Sequence, residues 1–255
     1  MCLRTNFEPS IKTILMSRSG ILKSSLAKKY WMAATGLFLC VFLLGHLAGN
    51  LQLFLGGIEG KTAFNEYAQF MTSNPAVKIL SWVTYLSILF HAIDGVVLVM
   101  QNIKARPKNY AYNKPGASSK WASRKMALLG TVVLAFIVVH MQNFWYQMHF
   151  GAVPIQELGP DGALDMPLKD LHKVVLDFFN PHINEYALVM VIIYVLAQLA
   201  ISFHLSHGFK SAFQSLGLNH PKYNGIIKLA GYLFSIAVPL VFAIIPIYLF
   251  IYHQH

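Results

Sequence analysis

Five stretches of this chain carry so little charge, over so many residues, that a lipid bilayer is the solvent they fit. They run over about 30–55, 77–100, 126–148, 186–206 and 226–252, and a helix of about 20 apolar residues spans a hydrocarbon core. The cleanest run, residues 186–203, holds no charged side chain. Over the whole chain, 12% of residues are Asp, Glu, Lys or Arg and 56% are hydrophobic; a soluble domain carries about 25% charged residues. The expected fold is all-α: an integral membrane bundle of five transmembrane helices over 30–252, preceded by a polar tail over 1–29. Pro239 and Pro246 should kink the fifth helix, as membrane helices tolerate.

Several chemistries lack the residues they need. The two cysteines, Cys2 and Cys40, form no CxxC or CxxCH pattern, so a disulfide scaffold, a cysteine zinc site, an iron–sulfur cluster and covalently attached haem have no support. There is no GxGxxG or P-loop to house a nucleotide or flavin. The net charge of +10 reads as membrane topology rather than nucleic-acid binding, because basic loops flank the spans.

Those loops also predict orientation. The tail holds Arg4, Lys12, Arg18, Lys23, Lys28 and Lys29; seven more basic residues lie in 101–125, and Lys210, Lys222 and Lys228 follow span four. Only Lys61, Lys78, Lys169 and Lys173 fall on the other side, which instead carries Glu59, Glu66, Glu157, Asp161, Asp165, Asp170, Asp177 and Glu185. Basic loops stay inside, so the N-terminus is expected in the cytoplasm and the C-terminus outside. The tail shows no small-residue cleavage site and is not expected to be a signal peptide; Met16 competes with Met1 as the expected start. In the long outer loop 150–185, LKDLHKVVLDFF reads as an amphipathic piece on the membrane surface, with Leu168, Leu171, Val175 and Phe178 on one face. No solenoid-type repeat and no separable soluble domain is evident.

Eleven histidines are present; His149, His172, His182, His220, His253 and His255 lie in or beside loops. His46, His91, His140 and His204 each fall in the later half of a different span. Successive spans run in opposite directions, so His46 and His140 share one depth and His91 and His204 another. Imidazole inside a membrane is a functional feature by default. Two imidazoles at each of two depths suit the axial positions of two haem irons, whereas zinc takes three or four protein ligands at one depth. Gly95 and Gly208, each four residues after a histidine, remove a Cβ on the same helix face and make room for a flat macrocycle; Gly45 and Gly49 flank His46. His207, three residues on, competes with His204.

With these residues in place, the chain resembles a known family. One histidine per span in the first four spans, HAIDG in span two and HLSHGFKSAFQSLG closing span four resemble the di-haem cytochrome b membrane anchor of succinate dehydrogenase/fumarate reductase, the five-helix, menaquinone-linked type. SSLAKKYWMAATGLFL, GHLAGNLQLF and AFNEYAQFM are similar to its first span and loop, and the likeness extends over about 24–252. It implies two b-type haems, with His46 and His140 on the distal one and His91 and His204 on the proximal one. It also implies a flavoprotein and an iron–sulfur subunit as partners, and electron exchange with menaquinone in a bacterial inner membrane. Glu66 would accept quinol protons near the distal haem, with Glu59 its rival; Ser25 and Lys29 fit an alternative quinone site at the cytoplasmic end. Asp94, the one acid inside a span, reads equally as a proton relay or a helix-to-helix hydrogen bond. Two other readings compete: the cytochrome b anchor of a formate dehydrogenase or hydrogenase, and a haem-free polytopic transporter whose histidines pack or relay protons.

Overall fold

A computed structural model describes residues 24–105, 121–156 and 167–252. The basic residues Arg4, Lys12, Arg18, Lys23, Arg106, Lys108, Lys114 and Lys120, the acids Glu157, Asp161 and Asp165, and Cys2, His253 and His255 lie outside these residues. Five helices are long and apolar enough to cross a membrane: α1 (Ser25–Asn50), α3 (Pro75–Lys104), α4 (Met126–Phe150), α6 (Ala187–Ser215) and α7 (Pro221–Tyr252). Two shorter helices, α2 (Gly57–Ser73) and α5 (Leu171–Phe179), lie between them. Among the described residues there is no strand, only an isolated bridge between Ile155 and Lys169. The chain is a multi-pass membrane protein. Of the most apolar 18-residue windows, that of α4 is only 6% buried inside the molecule, and those of α6 and α7 reach 33%. Apolar side chains therefore face outward, as they do where lipid is the solvent.

The helix ends follow from local chemistry. The Ser24 hydroxyl accepts the Ala27 amide at 3.1 Å, so α1 starts at Ser25, before the apolar run itself. Asn74 accepts the amides of Ala76 and Val77 ahead of Pro75, whose fixed φ suits the first helical position. At the end of α6, Gly217 takes φ +76° and the Leu218 amide reaches back to the Phe213 carbonyl at 3.0 Å. That is the six-to-one closure that only a residue tolerant of left-handed geometry allows.

Four spans form a ring in the order α1, α3, α4, α6, each touching the next and α6 closing on α1. Consequently α1 stands diagonally opposite α4, and α3 opposite α6. The fifth span, α7, lies outside the ring against α6 and α1. It is held closely: the Phe209 ring occupies the space a side chain at Gly231 would need. Pro239 lacks the amide that would bond the Ser235 carbonyl, and the Ser202 hydroxyl of α6 donates to that carbonyl at 2.6 Å instead.

Among the described residues one end of the bundle is capped by α2 and α5, and the other, termed the open end, is not. At the capped end α2 and α5 fold over the spans around Leu53, Phe64, Val175, Phe179, Val191, Tyr194, Ile245 and Leu249. A polar clasp ties them together. Lys61 bridges Asp170 at 2.7 Å, Asn65 donates to Asp170 and Gln156 while accepting the His172 amide, and Gln156 donates to Thr62. Asp170 also caps α5 through the Lys173 amide. Of the expected apolar face, Leu168 and Val175 are buried and Leu171 and Phe178 pack partly buried against the same core, which also takes in His172 and Phe179.

Candidate functional site

The four span histidines meet in two pairs, each across a diagonal of the ring. His46 of α1 faces His140 of α4 with ring centres 5.7 Å apart and planes at 87°. His91 of α3 faces His204 of α6 at 6.2 Å and 68°. The ring that meets His91 is that of His204; His207 lies one turn further along α6. The pairs occupy separate levels. His91 lies against Met32, Thr35 and Gly36 of α1, and His204 against Gly130 of α4. Gly36 and Gly130 each precede the histidine of their own helix by ten residues, roughly 15 Å at about 1.5 Å per residue.

Each level has its own surroundings. The capped-end pair is enclosed by aromatic rings: Phe42 and Phe242 each lie 5.5 Å from His46, Phe136 and Phe144 lie 5.6 and 5.3 Å from His140, and Tyr194 lies 5.9 Å away. Asn143 donates to the Tyr194 hydroxyl at 3.1 Å. Directly after His140, residues Met141–Tyr146 form a stretch of π-helix, a distortion that often accompanies functional sites. At the open end, Nδ1 of His91 lies 3.2 Å from the Met32 carbonyl. A carbonyl only accepts, so Nδ1 carries the proton and Nε2 keeps its lone pair. Nδ1 of His140 and of His204 is buried with no hydrogen-bond partner.

These pairs fit a metal held between two imidazoles. A five-membered ring with bonds of about 1.3 Å has its centre roughly 1.1 Å from each atom. With a metal–nitrogen bond of about 2 Å, two imidazoles on opposite sides of one ion then stand roughly 6 Å apart, centre to centre. The observed 5.7 and 6.2 Å are of that size, which is also the range of ordinary edge-on ring contacts. Among the described residues, no His, Cys, Asp or Glu joins either pair to make a group of three. Neither level therefore offers the three or four protein ligands that zinc takes.

The glycines next to the rings are not all the expected ones. A Cβ at Gly95 would meet Met32 at 3.7 Å, and one at Gly208 would meet Met126 at 3.5 Å, both ordinary contacts. The space at Gly49 is filled by the Tyr67 ring of α2, whose hydroxyl donates to the Gly45 carbonyl at 2.9 Å. The glycines that lie against imidazole are Gly36, where a Cβ would stand 3.1 Å from His91, and Gly130, 3.6 Å from His204. Sequence reading missed these two, although a signal exists. Met32, Gly36, Phe42 and His46 repeat at identical spacing as Met126, Gly130, Phe136 and His140, and His91–Gly95 repeats as His204–Gly208. The contacts repeat as well: Met32 with Gly95, Gly36 with His91, and again Met126 with Gly208, Gly130 with His204. The helix pairs α1–α3 and α4–α6 are thus two copies of one arrangement about an axis along the bundle.

The remaining predicted residues lie at the two ends. Glu66 and Glu59 are exposed on α2 at the capped end. Ser25 opens α1 at the open end, and Lys29, one turn later, is exposed. Asp94 lies three residues beyond His91 on α3 and is partly buried. Compared with family models, with curated proteins and with solved structures, the chain matches none.

Proposed function

We propose that this chain is the di-haem cytochrome b anchor of a succinate dehydrogenase or fumarate reductase, carrying electrons between an iron–sulfur subunit and menaquinone across a bacterial inner membrane. The observation that supports it most is the crossing of two histidine pairs on the two diagonals of one four-helix ring, at two levels. His46 and His140 would hold one haem, His91 and His204 the other. When bound, each haem would supply one-electron exchange, and the histidine pairs would be what holds it.

The protein's own residues do the rest. Phe42, Phe136, Phe144 and Phe242 keep water from the capped-end pair. Glu66, on the helix whose Tyr67 reaches the carbonyl beside His46, takes the protons that quinol releases there. The basic residues at the open end, Lys104, Arg124, Lys125, Lys210, Lys222 and Lys228, dock the iron–sulfur and flavoprotein subunits on the cytoplasmic side.

Use of the histidines for packing alone, as in a haem-free transporter, fits the geometry less well. Packing alone gives no reason for four imidazoles on four spans to meet as two diagonal pairs at two levels. Pyridine haemochrome analysis of the purified chain should give two b-type haems per polypeptide. A value of none or one overturns the four-ligand assignment.

A further inference from the structure

The two halves of the ring are near copies, and one residue breaks the symmetry at the imidazole nitrogens. Thr35 precedes Gly36 in MAATG, whereas the equivalent position in MALLG is Leu129. Both are buried, at 6% and 7% exposure. The Thr35 hydroxyl directs its proton into its own helix, toward the carbonyls of Trp31 at 3.0 Å and Met32 at 3.1 Å. Toward His91, 3.3 Å away, it therefore acts as an acceptor, sharing the Nδ1 proton with the Met32 carbonyl. His204, against Gly130 and next to a leucine in place of the threonine, has Nδ1 buried with no partner.

We propose that Thr35 is a positioning residue that anchors His91 and makes it the stronger donor of the open-end pair, while Leu129 leaves His204 unanchored. The proposal rests on these histidines being haem ligands. A hydrogen bond accepted from Nδ1 pushes electron density to Nε2, fixes the ring's orientation and favours the oxidised metal. Gly36 is the second half of the device. A Cβ there would stand 3.1 Å from His91 Cε1, so a side chain would push the ring off its acceptors.

The test is a redox titration, followed by absorbance, of the haem-loaded full chain and its variants. The open-end centre is the one that His204→Ala removes. Thr35→Val, of equal shape but without the hydroxyl, should raise the midpoint potential of that centre alone. Because the Met32 carbonyl still accepts the Nδ1 proton, the change is at most about tenfold in oxidised-over-reduced preference, or about 59 mV for a one-electron couple. Thr35→Ser should titrate like the wild type. Leu129→Thr, which offers His204 the missing acceptor, should lower the same potential. If Thr35→Val leaves both potentials unchanged, or moves both together, the anchoring role is wrong. Should Thr35→Val fail to accumulate, an unmoved potential in Leu129→Thr overturns the proposal just as well. A wild-type chain that binds no haem overturns the ligand assignment itself, and this proposal with it.

Discussion

Glu66 is exposed, while its neighbour Asn65 is buried in the clasp and Tyr67 lies on the end of α1. The carboxylate thus sits on a helix pinned at the capped end by the residues on either side of it, and is itself exposed. Moving charge without protons in a low-dielectric site is expensive, and a positioned general base contributes roughly 10²–10⁴-fold. Glu66→Gln keeps the shape and removes the proton acceptor. Quinone-linked turnover should fall by that factor while haem content, subunit assembly and succinate–dye activity persist. Near-normal quinone turnover in Glu66→Gln, together with a loss on changing Ser25 or Lys29, would place the quinone at the open end instead. At this scale the sequence was informative where chemistry is rare. Four intramembrane histidines stand out against an apolar background, and alternation of depth alone paired them as the ring contacts do. Gly36 and Gly130 were hidden because a glycine in a membrane helix is common; only the repeated Met–Gly–Phe–His spacing distinguishes them.

Among the elements, the five spans were legible, because apolar length is a coarse signal that packing does not alter. The two short helices were less so. Helix α2 spans Gly57–Ser73 with mixed composition and lies within what reads as a loop. The buried face of α5 joins its own apolar residues Val175 and Phe179 to the clasp at Asp170. The link between α6 and α7 depends on one backbone defect. Pro239 frees the Ser235 carbonyl, and Ser202 satisfies it. Ser202→Ala should destabilise the protein by about 1 kcal/mol in denaturant titrations in detergent, the usual scale for an interhelical hydrogen bond in a membrane protein. Pro239→Ala restores the helical amide, so in that background Ser202→Ala should have almost no effect. Equal effects in both backgrounds would show that Ser202 acts by packing rather than by this bond.

For the whole molecule, the two ends differ in chemistry. The open end gathers Lys104, Arg124, Lys125, Lys210, Lys222 and Lys228, and the capped end is closed by the Lys61–Asp170 clasp. Charge reversal at Arg124 and Lys125 should weaken retention of the iron–sulfur subunit in pull-down without removing haem; undiminished retention places the docking surface elsewhere. The clasp gives a pH dependence of definite sign. Burial alone would raise the Asp170 pKa, but Lys61, Asn65 and the Lys173 amide outweigh it and hold the carboxyl below the usual carboxylate range. Lys61 pairs with it, and Lys169, His172 and Lys173 lie within three residues of it in the chain. Its contribution is therefore complete above about pH 4, the ordinary aspartate value, and fades as pH falls through the lowered one. Amide hydrogen exchange in α2 and α5 should accelerate only in that acid window, and at neutral pH in Asp170→Asn.

The diagonal arrangement also carries an order in time. His46 and His140 belong to the first and third spans, so the capped-end pair has both its rings once three spans have entered the membrane. The open-end pair waits for His204, on the fourth. A nascent chain thus acquires its two histidine pairs in sequence. The earlier one lacks part of its aromatic wall until Tyr194 and then Phe242 arrive with later spans.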